Sequence, residues 1–429
     1  MLLNSAILII FAIAYAAIAF EHVIKINKSA SALLGAGLLW TIYAVCSDDP
    51  ANISAQLSHS LASIAQIVFF LMGAMAIVEV IDLHGGFQIV TSRITTTKLT
   101  NLMWLVSLVT FFLSAILDNL ATTVAMVSLM KKLLEKESER LLFASMIVIA
   151  ANAGGAWSPI GDITTTMLWI GGQVTALSVT SSLFAPSVVS LLVPLILVTH
   201  QMRDQRSTFK SVASEADSGA GSTIERNAIF FTGLGILLLV PAFKTVTHLP
   251  PFLGILFGLG ILWAFADFIH RNKNLEDRER LALVRALERI DLSSLVFFTG
   301  ILLSVAVLEH TDILTTLAAW LSQSIGRIDV IVLLLGLVSA VVDNVPLVAA
   351  SMGMYSLDQY PPDSFLWTFM AYCAGTGGSI LIIGSAAGVA AMGSEKIQFF
   401  WYLKRMSGLA LLGYLAGAAT YIVSHNLLR

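Results

Sequence analysis

The stretch Ser114–Thr123, SAILDNLATT, places an ionisable aspartate, Asp118, and an amide, Asn119, inside an otherwise apolar run. A charged side chain in hydrocarbon costs at least ~2.5 kcal/mol, so an acid in such a position predicts an ion or proton site. The same phrase returns 225 residues later in Ser339–Val348, SAVVDNVPLV. Two copies of Ser-Ala-x-x-Asp-Asn predict a duplicated fold with one half of a site in each copy.

The composition of the whole chain is that of a polytopic membrane protein. Of its 429 residues 57% are hydrophobic and only 12% are charged, and apolar runs of about 20 residues, the length that crosses a bilayer, recur along it. We therefore predict an all-α fold with about ten spans plus two re-entrant helical hairpins. The two cysteines lie far apart in apolar segments, which indicates packing rather than a disulfide or metal pair.

No nucleotide-binding loop, catalytic triad or metal-ligand spacing occurs in the sequence. The sequence therefore predicts a protein that is not an enzyme and that has no cofactor, no structural metal and no nucleic-acid partner. Its expected surroundings are the lipid bilayer.

Basic residues predict the orientation, because loops rich in Lys and Arg stay in the cytoplasm. Lys25 and Lys28 lie between the first two apolar runs, so the N-terminus is predicted outside. No basic residue precedes the run Leu2–Phe20, which favours a retained span over a cleaved signal peptide. We expect a multi-pass protein of a bacterial inner membrane. The basic residues that this layout leaves outside are Lys244, Arg327 and Arg429.

The predicted organisation has five parts. They are N-terminal scaffold spans (1–60), a first repeat (61–200), a cytoplasmic linker (201–226), connecting spans with a surface helix (227–290), and a second repeat (291–429). The surface helix is predicted to be amphipathic and to lie within 270–291. Each repeat is predicted to hold a hairpin, at 99–134 or 328–355, and a broken helix, at 141–177 or 365–392. Basic residues flank the first hairpin and external loops flank the second, so the repeats are predicted to be inverted.

Glycines interrupt both broken helices, in ANAGGAWSPIGD at 151–162 and AGTGGSILIIGS at 374–385. Inverted repeats bring such breaks to the midplane, where half-helix ends and polar side chains coordinate an ion. The first half offers Asp118, Asn119, Asn152, Ser158, Asp162, Thr164 and Thr165, with Glu79 as an additional residue near the inner end of the third span. The second half offers Asp343, Asn344, Thr376, Ser379 and Ser385.

The two halves differ in their carboxylates. Asp162 aligns with Ser385, so two of the three buried acids, Asp118 and Asp162, belong to the first half and the third, Asp343, to the second. A proton and a cation compete for a buried carboxylate, which is the simplest chemistry for exchange. We expect Asp118 and Asp162 to carry the proton and the second half to supply mainly neutral oxygens.

Each of these features also has a purely structural interpretation. An Asp-Asn pair can cap a broken helix, and hydroxyls in membrane helices often bond to their own backbone or hold helices together. Glycine clusters can serve close packing, and Glu79 can lie at the membrane interface. The duplication favours the functional interpretation for the Asp-Asn pairs.

At these residues the chain resembles the NhaD family of sodium/proton antiporters, within the ion transporter superfamily. The resemblance covers nearly the whole chain and is carried by SAILDNLATT, ANAGGAWSPIGDITTTMLW and SAVVDNVPLVAASM. It implies a homodimer in which a transport domain moves against a scaffold in an elevator-like cycle, exchanging cytoplasmic Na⁺ or Li⁺ for external H⁺. It implies as functional residues Asp118, Asn119, Asn152, Asp162, Thr164, Thr165, Ser339 and Asn344.

Two other functions remain open at the level of the sequence. A sodium-coupled carboxylate carrier of the same superfamily would carry Ser-Asn-Thr at its hairpin tips, whereas the aspartates here would repel an anion. An ion channel or a structural membrane subunit is the third possibility, and a channel would pass current without coupled proton flux.

Overall fold

The computed structural model of the chain describes all residues except 1, 20, 48, 92–97, 203–222, 272, 275–280, 342 and 429. Three predicted segments therefore lie wholly or partly outside the described residues: the polar loop after the third span, the central linker and the middle of the surface helix. In the last of these segments, the described helix is Leu283–Arg289.

The described part of the chain is built from helices. The first half contains α1 (Leu2–Ala19), α2 (Glu21–Ile24), α3 (Lys28–Val45), α4 (Pro50–Leu83), α5 (Gln88–Thr91), α6 (Leu99–Leu117), α7 (Asn119–Leu133), α8 (Glu137–Ala156), α9 (Ile163–Ile170) and α10 (Ala176–Gln201). The second contains α11 (Thr223–Thr247), α12 (Pro251–His270), α13 (Leu283–Arg289), α14 (Leu292–His310), α15 (Ile313–Ile325), α16 (Ile328–Val338), α17 (Asn344–Met354), α18 (Phe365–Gly377), α19 (Ala386–Glu395), α20 (Phe399–Arg405) and α21 (Ser407–Leu428).

Among the described residues, eight helices are long and apolar enough to cross a membrane, or nine if the bent pair α15 and α16 forms one span. This confirms the predicted class, an all-α multi-pass membrane protein. The number of spans and the re-entrant geometry of the hairpins stay predictions. Helix α15 was not anticipated: it follows α14 directly and meets α16 at an angle of 117°.

The start of α4 differs from the prediction. Residues 47–56 were expected to form an external loop, but α4 begins at Pro50 and continues for 34 residues. The Asp49 side chain accepts a hydrogen bond from the backbone N–H of Asn52 at 3.2 Å, and proline at the first helical position fits a helix start. The predicted domain boundary after residue 60 consequently falls inside one continuous helix.

The predicted breaks at Asp118 and in the glycine segments are present. α6 ends at Leu117 and α7 begins at Asn119, and the two helices pack against each other. The first broken helix is interrupted between Ala156 and Ile163, and the second between Gly377 and Ala386. Glycine and proline therefore located both interruptions correctly.

Most of the described helices pack in two groups. The core group comprises α6–α10, α16–α19 and α21, with α8 against α6, α7 and α19, and α10 against α21. The frame group comprises α1, α3, α4, α11, α12 and α14, with α14 against both α3 and α4. The groups meet where α17 contacts α14, α9 contacts α4 and α6 contacts α11.

The two copies of the repeated phrase make equivalent helix contacts. A Cβ atom on Gly154 of α8 would lie 2.1 Å from the carbonyl oxygen of Phe111 on α6. A Cβ atom on Gly377 of α18 would lie 2.1 Å from the carbonyl oxygen of Gly336 on α16. Only glycine permits such an approach of two helix backbones, so the same contact is used twice.

A hydrogen bond accompanies this contact in each half. Ser114 Oγ donates to the carbonyl oxygen of Ala151 at 2.6 Å, and Ser339 Oγ donates to that of Ala374 at 3.1 Å. The serine of each Ser-Ala-x-x-Asp-Asn phrase thus fixes the helix before the Asp-Asn pair to the helix before the glycine break. This equivalence supports the predicted duplication.

Candidate functional site

Four short helices begin at the two Asp-Asn pairs and the two glycine breaks, and a predicted site residue caps each one. Asp118 accepts from the N–H of Ala121 at 2.8 Å, Asp162 from that of Thr164 at 2.8 Å, Asp343 from that of Val345 at 3.3 Å and Ser385 from that of Gly388 at 3.2 Å. The capping interpretation is therefore correct, and it also aims four positive helix ends at these side chains.

The backbone at Asp118 is unusual as well. Its φ is +80°, a value that non-glycine residues rarely adopt. Strained backbone of this kind persists only where the surroundings hold it, and it is concentrated at functional sites.

Asn119, Asn152 and Asp162 form a buried polar cluster. Asn119 Nδ2 donates to Asp162 Oδ2 at 2.7 Å and to Asn152 Oδ1 at 3.1 Å. All three side chains are at least 96% buried, and buried polar groups of this kind are retained only when they are bonded or have a function. The tip of the α6–α7 pair is thereby joined to the break between α8 and α9.

The same cluster extends into the second half of the chain. Asn152 Nδ2 donates to Ser379 Oγ at 2.9 Å and to Ser385 Oγ at 2.8 Å. Ser379 is held in turn by Tyr402, whose hydroxyl donates to the Ser379 carbonyl oxygen at 2.7 Å. Within this cluster Asn152 connects the two halves. We call these five side chains, Asn119, Asn152, Asp162, Ser379 and Ser385, the central network.

Two threonines, Thr164 and Thr165, follow Asp162 in the first turn of α9. Thr164 Oγ1 donates to Asp162 Oδ1 at 2.6 Å. Thr165 Oγ1 is buried and has no hydrogen-bond partner among the described residues, and the same holds for the hydroxyls of Thr122 and Thr123 on α7. An unpaired buried hydroxyl is costly unless another partner satisfies it, and a bound cation is one such partner.

Other predicted residues lie nearby without joining the central network. Thr376 Oγ1 bonds to the Tyr372 carbonyl oxygen of its own helix at 2.6 Å, and Ser158 lies inside the first break, where its Oγ accepts from Ile160. Asn344 is buried next to Asp343. For Thr376 and Ser339, whose hydroxyls bond to backbone carbonyls, the structural interpretation accounts for the hydrogen bonds.

A cavity of about 590 Å³ reaches Asp118 from one side of the protein. Its lining includes Glu79 and Asp82 of α4, Lys132 of α7 and Arg289 of α13. By the predicted orientation this side is cytoplasmic, and we call the space the inner cavity. Glu79, which the sequence suggested only as an additional residue, therefore shares a water-accessible space with Asp118.

A second cavity, of about 300 Å³, lies at the opposite end of α4 and is called the outer cavity. Its polar lining includes His59, Gln173, Glu309 and His310. The nearest lining residues on α4, Ile67 and Met75, are eight positions apart, or ~12 Å of helix. No local pattern in the sequence predicts this cavity, because its residues come from four separate segments.

Asp343 has a different environment from the one predicted. The sequence assigned it to the ion-binding shell, whereas its Oδ2 lies 3.7 Å from the ammonium Nζ of Lys28 on α3. Lys28 was interpreted only as a loop cation that sets the orientation. The pairing depends on how α3 packs against the second repeat, which no local pattern reveals.

Comparisons with known proteins find relatives along nearly the whole chain. A family model described as "Citrate transporter" matches residues 7–375. The chain is 50% identical to sodium/proton antiporter 1 of Arabidopsis thaliana over 98% of the chain and 73% of the relative, and 45% identical to antiporter 2 of the same plant over 97% and 99%. It is 32% identical to the Na⁺/H⁺ antiporter NhaD of Vibrio cholerae over 99% of the chain and 91% of the relative.

These relatives are transporters, which confirms the prediction that the chain is not an enzyme. Both the resemblance and the match extend over nearly the whole chain. The chain therefore belongs to the NhaD family of sodium/proton antiporters.

Proposed function

We propose that the chain exchanges Na⁺ for H⁺ at the central network. The observation that carries this proposal is the buried Asp162 carboxylate. It lies at the break between α8 and α9, next to the tip of the α6–α7 pair, in the network that joins both halves of the chain. Relatives along the whole length of the chain are named as sodium/proton antiporters, which supports the same activity.

The proposed mechanism is competition at one carboxylate. A buried charge must be neutralised, and for Asp162 either a proton or a cation does so. A sodium ion takes hard oxygen ligands, which the Asp162 carboxylate, the Asn152 amide oxygen and the free Thr165 hydroxyl would supply. Because one occupant excludes the other, each sodium ion that binds displaces a proton, and the two fluxes are coupled.

Asp118 is proposed to be the entry carboxylate on the cytoplasmic side. It lies between the inner cavity and Asn119, which donates to Asp162. A cation attracted by Glu79, Asp82 and Asp118 would approach the central network along this path. The proton released from Asp162 would leave by the same route when the inner side is open.

The proposed transport cycle moves the core group against the frame group in an elevator-like manner. The two cavities on opposite sides of the protein would then open to the central network in turn. We propose that cytoplasmic Na⁺ or Li⁺ leaves in exchange for external H⁺, in a homodimer in the bacterial inner membrane. The scaffold and transport roles of the frame and core groups belong to the same proposal.

A citrate or other carboxylate carrier is the second candidate, because the matching family model is described as a citrate transporter. A carboxylate substrate is repelled by a fixed carboxylate and is bound best by a cationic side chain at its site. The central network instead contributes a carboxylate, amides and hydroxyls. Lys28 is paired with Asp343, and Lys132 and Arg289 line the inner cavity outside the network.

Purified protein in proteoliposomes with an imposed pH gradient distinguishes these functions. We expect added Na⁺ or Li⁺ to dissipate the gradient, added K⁺ or choline to leave it intact, and labelled citrate or succinate not to accumulate. Sodium-driven citrate uptake without proton exchange would establish the carrier instead. Gradient-independent sodium current would establish a channel.

A further inference from the structure

Asp118 and Asp343 occupy the same position of the two repeats but face different partners. Asp118 lines the inner cavity together with Glu79 of α4. Asp343 lies 3.7 Å from the Lys28 ammonium, with side-chain exposures of 18% for Asp343 and 25% for Lys28. Asp118 is therefore open to water and mobile ions, while Asp343 already has the Lys28 ammonium as a neighbour.

The frame group holds Lys28 firmly in place. Its backbone N–H donates to Glu21 Oε1 at 3.2 Å, and the next residue, Ser29, donates from its hydroxyl to the Ser293 carbonyl oxygen at 2.7 Å. The ammonium lies 4.5 Å from the centre of the Phe297 ring on α14, an arrangement that stabilises a cation further. Two of these contacts hold the start of α3, and the third, from Phe297, lies at the ammonium itself.

Asp343 belongs to the core group. It caps α17, accepting from the N–H of Val345, and α17 packs against α9 and α18. The Lys28–Asp343 ion pair therefore crosses the boundary between the two groups. At the same boundary, α17 contacts α14, the helix that carries Phe297.

We propose that the Lys28 ammonium is the permanent counter-ion of Asp343, so that this carboxylate does not bind sodium. The ion pair, called the latch, instead holds the core group against the frame group in this conformation. The proposal rests on the proposed function only in its second part, that transport requires the latch to open. The two halves therefore have different roles. The first half binds the transported ion, and in the second half Lys28 neutralises the Asp343 carboxylate.

The physical reason is the cost of an unpaired, partly buried charge. Removing Lys28 leaves Asp343 without its counter-ion at the end of α17, and this loss is much larger than for a solvated surface pair. Removing Asp343 is milder, because Lys28 keeps the Phe297 ring and a quarter of its side chain is exposed. If the two residues act as a pair, removing both costs less than removing Lys28 alone.

A double-mutant cycle tests this proposal with two readouts. Lys28→Gln, Asp343→Asn and the double variant are compared in detergent for unfolding temperature without sodium, and in proteoliposomes for exchange rate. Lys25→Gln and Asp358→Asn are the matched controls, since both side chains are exposed. We expect Lys28→Gln to lower the unfolding temperature and to slow exchange roughly tenfold, and the double variant to regain most of both losses.

Several results would overturn the proposal. Losses that add in the double variant would mean that the residues act separately, and an Asp343→Asn variant as inactive as one lacking Asp162 would make Asp343 an ion ligand. The unfolding temperatures test the pairing even if wild-type protein shows no exchange. In that event the proposed function fails, while the ion pair is still judged by its thermal coupling.

Discussion

The change Asn152→Ala removes the one side chain that joins the two halves at the central network. Asn152 accepts from Asn119 at 3.1 Å and donates to Ser379 at 2.9 Å and to Ser385 at 2.8 Å. Alanine makes none of these bonds. The helix itself tolerates alanine, so the effect is confined to the network.

The expected magnitude follows from these three hydrogen bonds. Each contributes about 1 kcal/mol net, and the partners that remain are buried and unpaired, so the total loss is about 3 kcal/mol. If the network positions the sodium ligands, this energy appears as a fall of about 100-fold in sodium affinity or exchange rate. The unfolding temperature should fall as well, because the bonds also join the two halves.

The assay is sodium-dependent dissipation of a pH gradient in proteoliposomes, measured over a range of sodium concentrations. Ser145→Ala is the matched control: Ser145 is fully buried on the same helix, but its hydroxyl bonds to its own backbone at Leu141. Exchange by Asn152→Ala within about twofold of wild type would refute the role of the network. An equal loss in Ser145→Ala would point to general damage of α8.

Two further predictions concern the packing of the core group. Gly154→Ala places a methyl group 2.1 Å from a backbone oxygen of α6 and should destabilise the protein by about 3 kcal/mol or more. The control Gly235→Ala meets nothing within 4 Å and should leave the unfolding temperature unchanged or raise it. Equal effects of the two substitutions would contradict the close helix contact. Arg140→Ala leaves the buried Glu395 carboxylate without the partner that lies 2.9 Å away, and should lower the free energy of unfolding by about 3–5 kcal/mol. In the same denaturation experiment Arg285→Ala, in an exposed pair, should lower it by less than about 1 kcal/mol.

Local sequence signals were sufficient for the breaks and for most of the central network. Clustered glycines marked both breaks, and an acid in an apolar run is costly in any membrane fold. The repeated phrase also predicted that the two halves meet at one site. Asn152 and Ser385 were therefore predicted to lie close together. The capping role of Asp118 and Asp162 was foreseen as the structural alternative and is present, while their role in ion binding stays a prediction.

Features that depend on contacts between distant segments could not be predicted. Lys28 carries the same charge whether it lies in a loop or beside Asp343, and only the packing of α3 decides between them. The outer cavity collects residues from α4, α9, α14 and α17, each of which is unremarkable in its own segment. The start of α4 at Pro50 was missed because acid and proline residues also occur in loops, although here Asp49 caps the helix.

The most direct test of the central claim is the release of protons when sodium binds. Purified protein in weakly buffered detergent solution is titrated with sodium chloride, with choline chloride as the control salt, while the pH is recorded. Competition at Asp162 predicts proton release from wild type and from Asp358→Asn, whose side chain is exposed, and none from Asp162→Asn. Undiminished proton release from Asp162→Asn, or sodium binding to wild type without proton release, would contradict exchange at this carboxylate.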